Sequence, residues 1–237
     1  MAVLNWASRA GAFVIEDDYD SEYRYESLPI PSLQGLDKNS RVVYIGTFSK
    51  VVFPSLRLGY IVVPPDLIDR FVTMRRVMDL GQPTFYQQVL ADFIDEGHFA
   101  RHLRRMRVHY GGLRQVLFEN LTDNLGEMGE PVGDAAGMHL TVMLQNKFRD
   151  EEIAWDGAHQ NLALWPLSRA YMGQACQGLV LGFGGISGRE ISPAVRKLRN
   201  LLVGKLKVAS SRRGSSGGGA GPQRLKPQFL FAHGGTA

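Results

Sequence analysis

Two short segments carry the residues best suited to chemistry. One is Gly46-Thr47-Phe48-Ser49-Lys50, followed by Pro54-Ser55-Leu56-Arg57-Leu58-Gly59-Tyr60. It delivers two hydroxyls and a lysine, then an arginine seven residues on. A lysine beside an arginine at a sheet end is disfavoured as the ammonium, which suits a nucleophile. Hydroxyls and a guanidinium fork together suit a phosphate group. Alone, the segment also reads as a surface lysine on a loop. The other segment is Val14-Ile15-Glu16-Asp17-Asp18-Tyr19-Asp20-Ser21-Glu22-Tyr23, where an apolar run enters a cluster of acids and a tyrosine. An acid there can hold a positively charged group. The same residues also fit a solvated turn or, less well, a divalent cation, because no matching acid or histidine cluster lies elsewhere.

Three apolar, β-rich runs must position these groups: Ala12 to Glu16, Val42 to Gly46 and Leu58 to Val63. They are continuous rather than alternating, which predicts strands covered on both faces. A helical pattern, Val3 to Arg9, stops at Gly11 just before the first run. Helix, glycine stop and buried strand read as part of an α/β sheet, with ligands expected at the carboxyl ends of the strands. From Pro65 the pattern turns helical: Asp66 to Met78 is amphipathic, Pro83-Thr84 opens a helix to Glu96, and Phe99 to Leu125 is long and arginine-rich after a break at Gly97. Pro131 to Gly137 reads as loop, Met138 to Leu144 and Leu179 to Phe183 as strands, and Glu151 to Asn161 as helix. A last helix, Ser192 to Lys205, is expected to open with Ser192 as N-cap and Pro193 in its first turn. The expected domains are 1–75, the carboxyl-terminal part of a large domain; 76–124, interdomain helices; 125–203, a small α+β domain; and 204–237, a disordered basic tail.

Composition bounds the possibilities. With 237 residues and 44% of them apolar, the chain can bury a core and is not disordered as a whole. No apolar run is long enough to span a membrane. The one cysteine, Cys176, excludes an internal disulfide and a cysteine-rich zinc site, reads as buried filler rather than a nucleophile, and fits a reducing cytoplasm. The net charge of +4 belongs to the tail: from Gly204 onward there are six Lys/Arg and no Asp/Glu, against 21 basic and 23 acidic residues before it.

Together the two segments supply a lysine for an imine, an arginine and hydroxyls for a phosphate, and an acid for a pyridinium nitrogen. Pyridoxal 5'-phosphate requires that set. The chain resembles a fold-type I pyridoxal-phosphate (class I/II) aminotransferase: α/β, with a partial, mostly parallel large-domain sheet followed by a smaller α+β domain. More narrowly, Glu16 to Tyr25, Gly46 to Lys50 and Asp95 to Arg107 resemble the aminotransferase-like domain of MocR/GabR-type (GntR superfamily) transcriptional regulators. The likeness covers roughly residues 1–203.

This resemblance implies roles by position. Lys50 forms the imine with the cofactor, Asp17 rather than Asp18 pairs with the pyridine nitrogen, and Tyr19 bonds the ring 3-oxygen. Thr47 and Arg57 bind the phosphate, with Ser49 as a further contact. It also implies a homodimer, with Thr84 a contact to the neighbouring subunit's phosphate. The family's carboxylate-binding arginine has its expected place at Leu179, which cannot do that work; Arg169 and Arg189 are the nearby substitutes. The family's phosphate loop, stacking aromatic and asparagine, and the regulators' winged-helix domain, precede the segment that matches. The chain therefore reads as a carboxyl-terminal fragment that exposes sheet edges, is marginally stable and binds the cofactor poorly.

The implied function is an effector-sensing domain that binds an amino acid or amine and reaches DNA only through a domain absent from this chain. The alternative is an aminotransferase moving an amino group from an amino acid to a 2-oxo acid. His98 and His102, four apart on a helix, could ligate a metal, but no third ligand is evident and a structural role is expected. His139 reads as a packing residue near a possible substrate mouth. The arginine-rich helix reads as an interdomain helix rather than a DNA contact.

Overall fold

The computed structural model describes residues 1–26, 30–81, 84–133 and 135–212, with side chains to 207. Most of the tail expected from 204 lies outside the described residues. Its first part is not tail: the last helix runs on to Arg212.

The chain divides into two units, residues 1–111 with 135–137, and residues 112–134 with 138 onward. The division falls inside one helix, not at either end of a separate helical segment.

In the first unit, α1 (Ala2–Ala10) ends where Gly11 adopts φ 63°, a conformation that favours glycine. Then come β1 (Val14–Asp18), a single turn α2 (Leu33–Leu36), β2 (Val42–Thr47) and β3 (Gly59–Val62). β1 and β2 are parallel, with Asp17 opposite Ile45 and Asp18 opposite Gly46. β3 returns antiparallel to β2, with Gly46 opposite Tyr60. The sheet is therefore mixed, in the order β1-β2-β3. Glu16 fixes the crossover between the parallel strands: its carboxylate accepts the N–H groups of Leu33 and Gln34 at the start of α2. Asp37 does the same for β2, accepting from the N–H groups of Asn39, Arg41 and Val42.

Only β2 is substantially buried. β1 alternates in exposure and β3 is exposed throughout, so the expectation of strands covered on both faces fails at the two sheet edges. α3 (Ile68–Asp79) is equally bare: none of its residues is buried, although an amphipathic helix was expected to hide one face. α4 (Phe85–Asp95) buries only Leu90. α5 (His98–Leu125) begins in this unit and continues into the next.

The second unit has a conventional core. The later part of α5 buries Leu113, Leu117, Leu121 and Leu125, four apart on one helix stripe. An antiparallel sheet follows in the order β4-β5-β7-β6: β4 (Gly129–Val132), β5 (His139–Leu144), β6 (Trp165–Pro166) and β7 (Gly178–Gly182). α6 (Asp150–Ala158) lies between β5 and β6, and α7 (Gly188–Arg212) closes the unit. Leu140, Val142, Leu144, Leu179 and Leu181 make the buried sheet face, and Ile153, Ile191, Val195, Leu198 and Leu202 are the buried helical residues. α7 opens one turn earlier than expected. Ser187 and Glu190 form its start: the Ser187 hydroxyl and N–H both donate to the Glu190 carboxylate. Pro193 then sits inside the helix, where it omits one backbone hydrogen bond.

Candidate functional site

The parallel pairing of β1 and β2 brings both chemical segments to one edge of the first sheet. Partners across a ladder share a face, and residues two apart along a strand share a face. Glu16, Asp18, Tyr44 and Gly46 therefore leave one side, and Ile15, Asp17, Ile45 and Thr47 the other. Asp17 and Thr47 thus stand on the same side at neighbouring strand ends.

Asp18 is already engaged. Its carboxylate accepts the Tyr44 hydroxyl at 2.8 Å and the Ser21 hydroxyl and N–H at 2.6 and 3.2 Å. Burial, then the bond to Asp18, pushes the Tyr44 phenol far up, so it stays a donor. Asp17 is exposed and makes no hydrogen bond or ion pair among the described residues. Tyr19 is also exposed. The charge of Asp20, then partial burial, then Asp17 raise its phenol, which keeps it a protonated donor.

Lys50 sits in the turn after β2. Its side chain is exposed and makes no hydrogen bond or ion pair among the described residues, yet the main chain around it is fixed. The Thr47 hydroxyl accepts the Ser49 N–H at 3.1 Å and lies 3.4 Å from the Leu58 carbonyl. Val52 N–H donates to the Phe48 carbonyl at 2.9 Å. The Phe48 ring packs on Tyr60 and edge-on to Phe99. The carbonyls of Lys50 and Val51 take the Tyr23 hydroxyl at 3.3 and 3.5 Å, and Val51 also takes His102 Nε2 at 2.8 Å. Neither Tyr23 nor His102 was singled out by sequence for this contact, because nothing in the spacing links them to residue 51.

Arg57 follows a 3₁₀ turn over Pro54–Leu56 and has φ 51°, unusual for a residue with a Cβ. Its guanidinium is unpaired among the described residues. The Tyr60 ring occupies the space that a side chain at Gly46 would need, closing the side of the sheet opposite Asp17. An open carboxylate, an anchored lysine, two hydroxyls and a free guanidinium are the donor and acceptor types a phosphorylated pyridine aldehyde requires, so the residues present fit that group.

The other singled-out residues fall away from this set. Thr84 is the N-cap of α4, and its hydroxyl makes no capping bond. His98 pairs with Glu96 at 3.0 Å and stacks on Phe93. Among the described residues no three acids, histidines or cysteines cluster as a metal site. His139 is exposed on β5 opposite Gly182. Cys176 is exposed, not buried, because it lies in the loop before β7. Leu179 is 0% exposed and points into the core, so it cannot be a ligand position. The residue on the other face is Val180, equally unable to bind a carboxylate. Of the substitutes, Arg169 is taken by Glu151 at 2.9 Å and Arg189 is exposed on the first turn of α7.

The chain as a whole is similar to known proteins. The family described as aminotransferase class I and II matches residues 1–165. The probable rhizopine catabolism regulatory protein MocR of Rhizobium meliloti is 41% identical over 207 residues, covering 86% of this chain and 41% of that protein. The uncharacterised HTH-type transcriptional regulator YhdI of Bacillus subtilis is 39% identical over 198 residues, 83% of this chain and 42% of that protein. The chain thus spans about two-fifths of the length of either regulator. Among solved structures, the Pyrococcus horikoshii kynurenine aminotransferase, in complex with PMP, superposes with a TM-score of 0.79 at 26% identity, covering 86% of this chain and 51% of that one.

Proposed function

This chain belongs to the aminotransferase class I and II family, and from that premise we propose that it is the pyridoxal-phosphate-binding, effector-sensing portion of a MocR-type regulator. The observation that carries the reading is the pairing of an uncommitted Asp17 with an anchored Lys50 turn at adjacent parallel strand ends. When bound, the cofactor supplies an aldehyde that condenses with amines and a ring that withdraws electrons.

The chain's own residues do the rest. Lys50 would hold the cofactor through Nζ, the one atom of this set placed to carry a proton to or from a bound amine. Asp17 keeps the ring nitrogen protonated, and Tyr19 donates to the ring oxygen. Thr47, Ser49 and Arg57 bind the phosphate. A second copy of the chain is the proposed partner, with Thr84 facing its phosphate, and the working compartment is the cytoplasm; no helix among the described residues is long and apolar enough to cross a membrane.

The sensing role is favoured over turnover because the strand expected to supply a carboxylate arginine carries Leu179 and Val180. The test is to incubate the chain with pyridoxal phosphate, reduce with borohydride and map the modified lysine. Label at Lys50 in clear excess over any other lysine is expected; label with no preference for Lys50 overturns the reading. Adding amino acids then separates the two roles: a spectral change without 2-oxo acid supports a sensor, and steady 2-oxo acid release means an aminotransferase.

A further inference from the structure

We propose that Tyr23 and His102 are positioning residues that hold Lys50 in place by gripping the two backbone carbonyls at and after it. The proposal rests on the reading of Lys50 given above. A lysine amine rides on four rotatable bonds, so its reach is set first by where its Cα is held. The Lys50 carbonyl faces the Tyr23 hydroxyl, and the Val51 carbonyl faces both that hydroxyl and His102 Nε2. A carbonyl only accepts, so the His102 ring must carry its proton on Nε2. Val51 and Tyr23 are each 1% exposed, so the bond between the Tyr23 hydroxyl and the Val51 carbonyl is buried, while the bonds to the Lys50 carbonyl and from His102 are part-buried.

The grip is itself supported. Tyr110 stands edge-on to the Tyr23 ring at 5.1 Å, and Arg107 Nε donates to the Glu22 carbonyl at 2.6 Å. His102, Arg107 and Tyr110 all belong to α5, so one helix fixes both the lysine turn and the segment that carries Tyr23. Two polar side chains from distant parts of the chain converge on the backbone at the one residue whose amine matters. An apolar pair would fill the same space but leave the buried Val51 carbonyl without these donors.

The experiment uses the full chain with pyridoxal phosphate and borohydride, and compares the rate of labelling at Lys50 with that at the exposed Lys38 in the same molecule. In the unsubstituted chain, label at Lys50 upholds the underlying reading, and its absence sinks that reading before the positioning claim is reached. His102→Ala and Tyr23→Phe are expected to lower the Lys50-to-Lys38 ratio by about tenfold, the scale expected for a small misplacement of a reacting group. His102→Gln, which restores an N–H donor, is expected to recover most of that loss. An unchanged ratio in both first variants, or a His102→Gln as slow as His102→Ala, overturns the proposal. Far-ultraviolet dichroism checks folding; should Tyr23→Phe fail to fold, the His102 pair decides alone.

Discussion

The carboxylate of Asp18 accepts the Tyr44 hydroxyl at 2.8 Å, and this contact separates two adjacent acids by role. Asp18 spends its oxygens on Tyr44 and Ser21, while Asp17 leaves the other face uncommitted. Asp17→Asn is therefore expected to weaken pyridoxal phosphate binding roughly 10- to 100-fold, as for loss of one charged hydrogen bond. Asp18→Asn should leave binding close to unchanged and cost about 1 kcal/mol of stability. Absorbance titration and urea unfolding of the two variants check this.

Arg57 should read the phosphate and nothing else. Arg57→Ala is expected to reduce affinity for pyridoxal phosphate at least about tenfold while leaving pyridoxal binding unaltered, since a guanidinium–phosphate pair is lost. Arg57→Gly is the useful companion. It also removes the guanidinium but relaxes the backbone at φ 51°, so it should melt higher than Arg57→Ala while binding as poorly.

In the second unit, Asp150 is the residue whose loss should do most harm. It is 1% exposed, and its carboxylate accepts from Ser168 N–H and hydroxyl at 2.8 and 2.7 Å and from Gly178 N–H at 3.1 Å. It ties the start of α6 to β7 and to the turn after β6. Removing the acceptor strands three donors, so Asp150→Ala is expected to cost about 3 kcal/mol or more. Asp150→Asn should cost less. Denaturant midpoints give the order directly.

Tyr23 makes the stability depend on pH at the alkaline end. Burial first, then the neighbouring Tyr110 and Glu22, push its phenol up to about 12 from an ordinary value near 10. The folded state thus binds this proton more tightly than the unfolded state. The stabilisation is complete below about pH 10 and is lost as pH rises through about 12. Thermal melts from pH 8 to 12 should show this decline, and Tyr23→Phe should flatten it.

The bare faces of the first unit predict association. Ile15, Ile61, Val77, Met78 and Phe85 each leave half or more of their surface exposed, and large exposed apolar surfaces favour association. The chain alone is expected to bind a hydrophobic dye and to self-associate in light scattering. Val77→Glu with Met78→Lys should reduce both without lowering the melting temperature, because neither side chain is packed.

Much of this was legible in sequence where one residue type decides one feature. Gly11 stops α1, Gly97 separates α4 from α5, and the runs around Val43 and Leu140 are strands. β4 hid because Gly129-Glu130-Pro131-Val132 looks like loop chemistry and becomes a strand only through its pairing with β5. The start of α7 was missed because Ser192-Pro193 imitates a helix opening, while the true one, Ser187 with Glu190, lies just upstream. The site residues were nameable by type, but the register that separates Asp17 from Asp18, and the His102 bond to Val51, exist only once distant segments meet.

The tyrosine ring beside Gly46 constrains how this chain can change over generations. A methyl group at position 46 would overlap Tyr60, whereas a smaller residue at position 60 meets no such barrier. The two positions are thus coupled: growth at position 46 requires the Tyr60 ring, met at its outer end and 39% exposed, to swing away or to shrink.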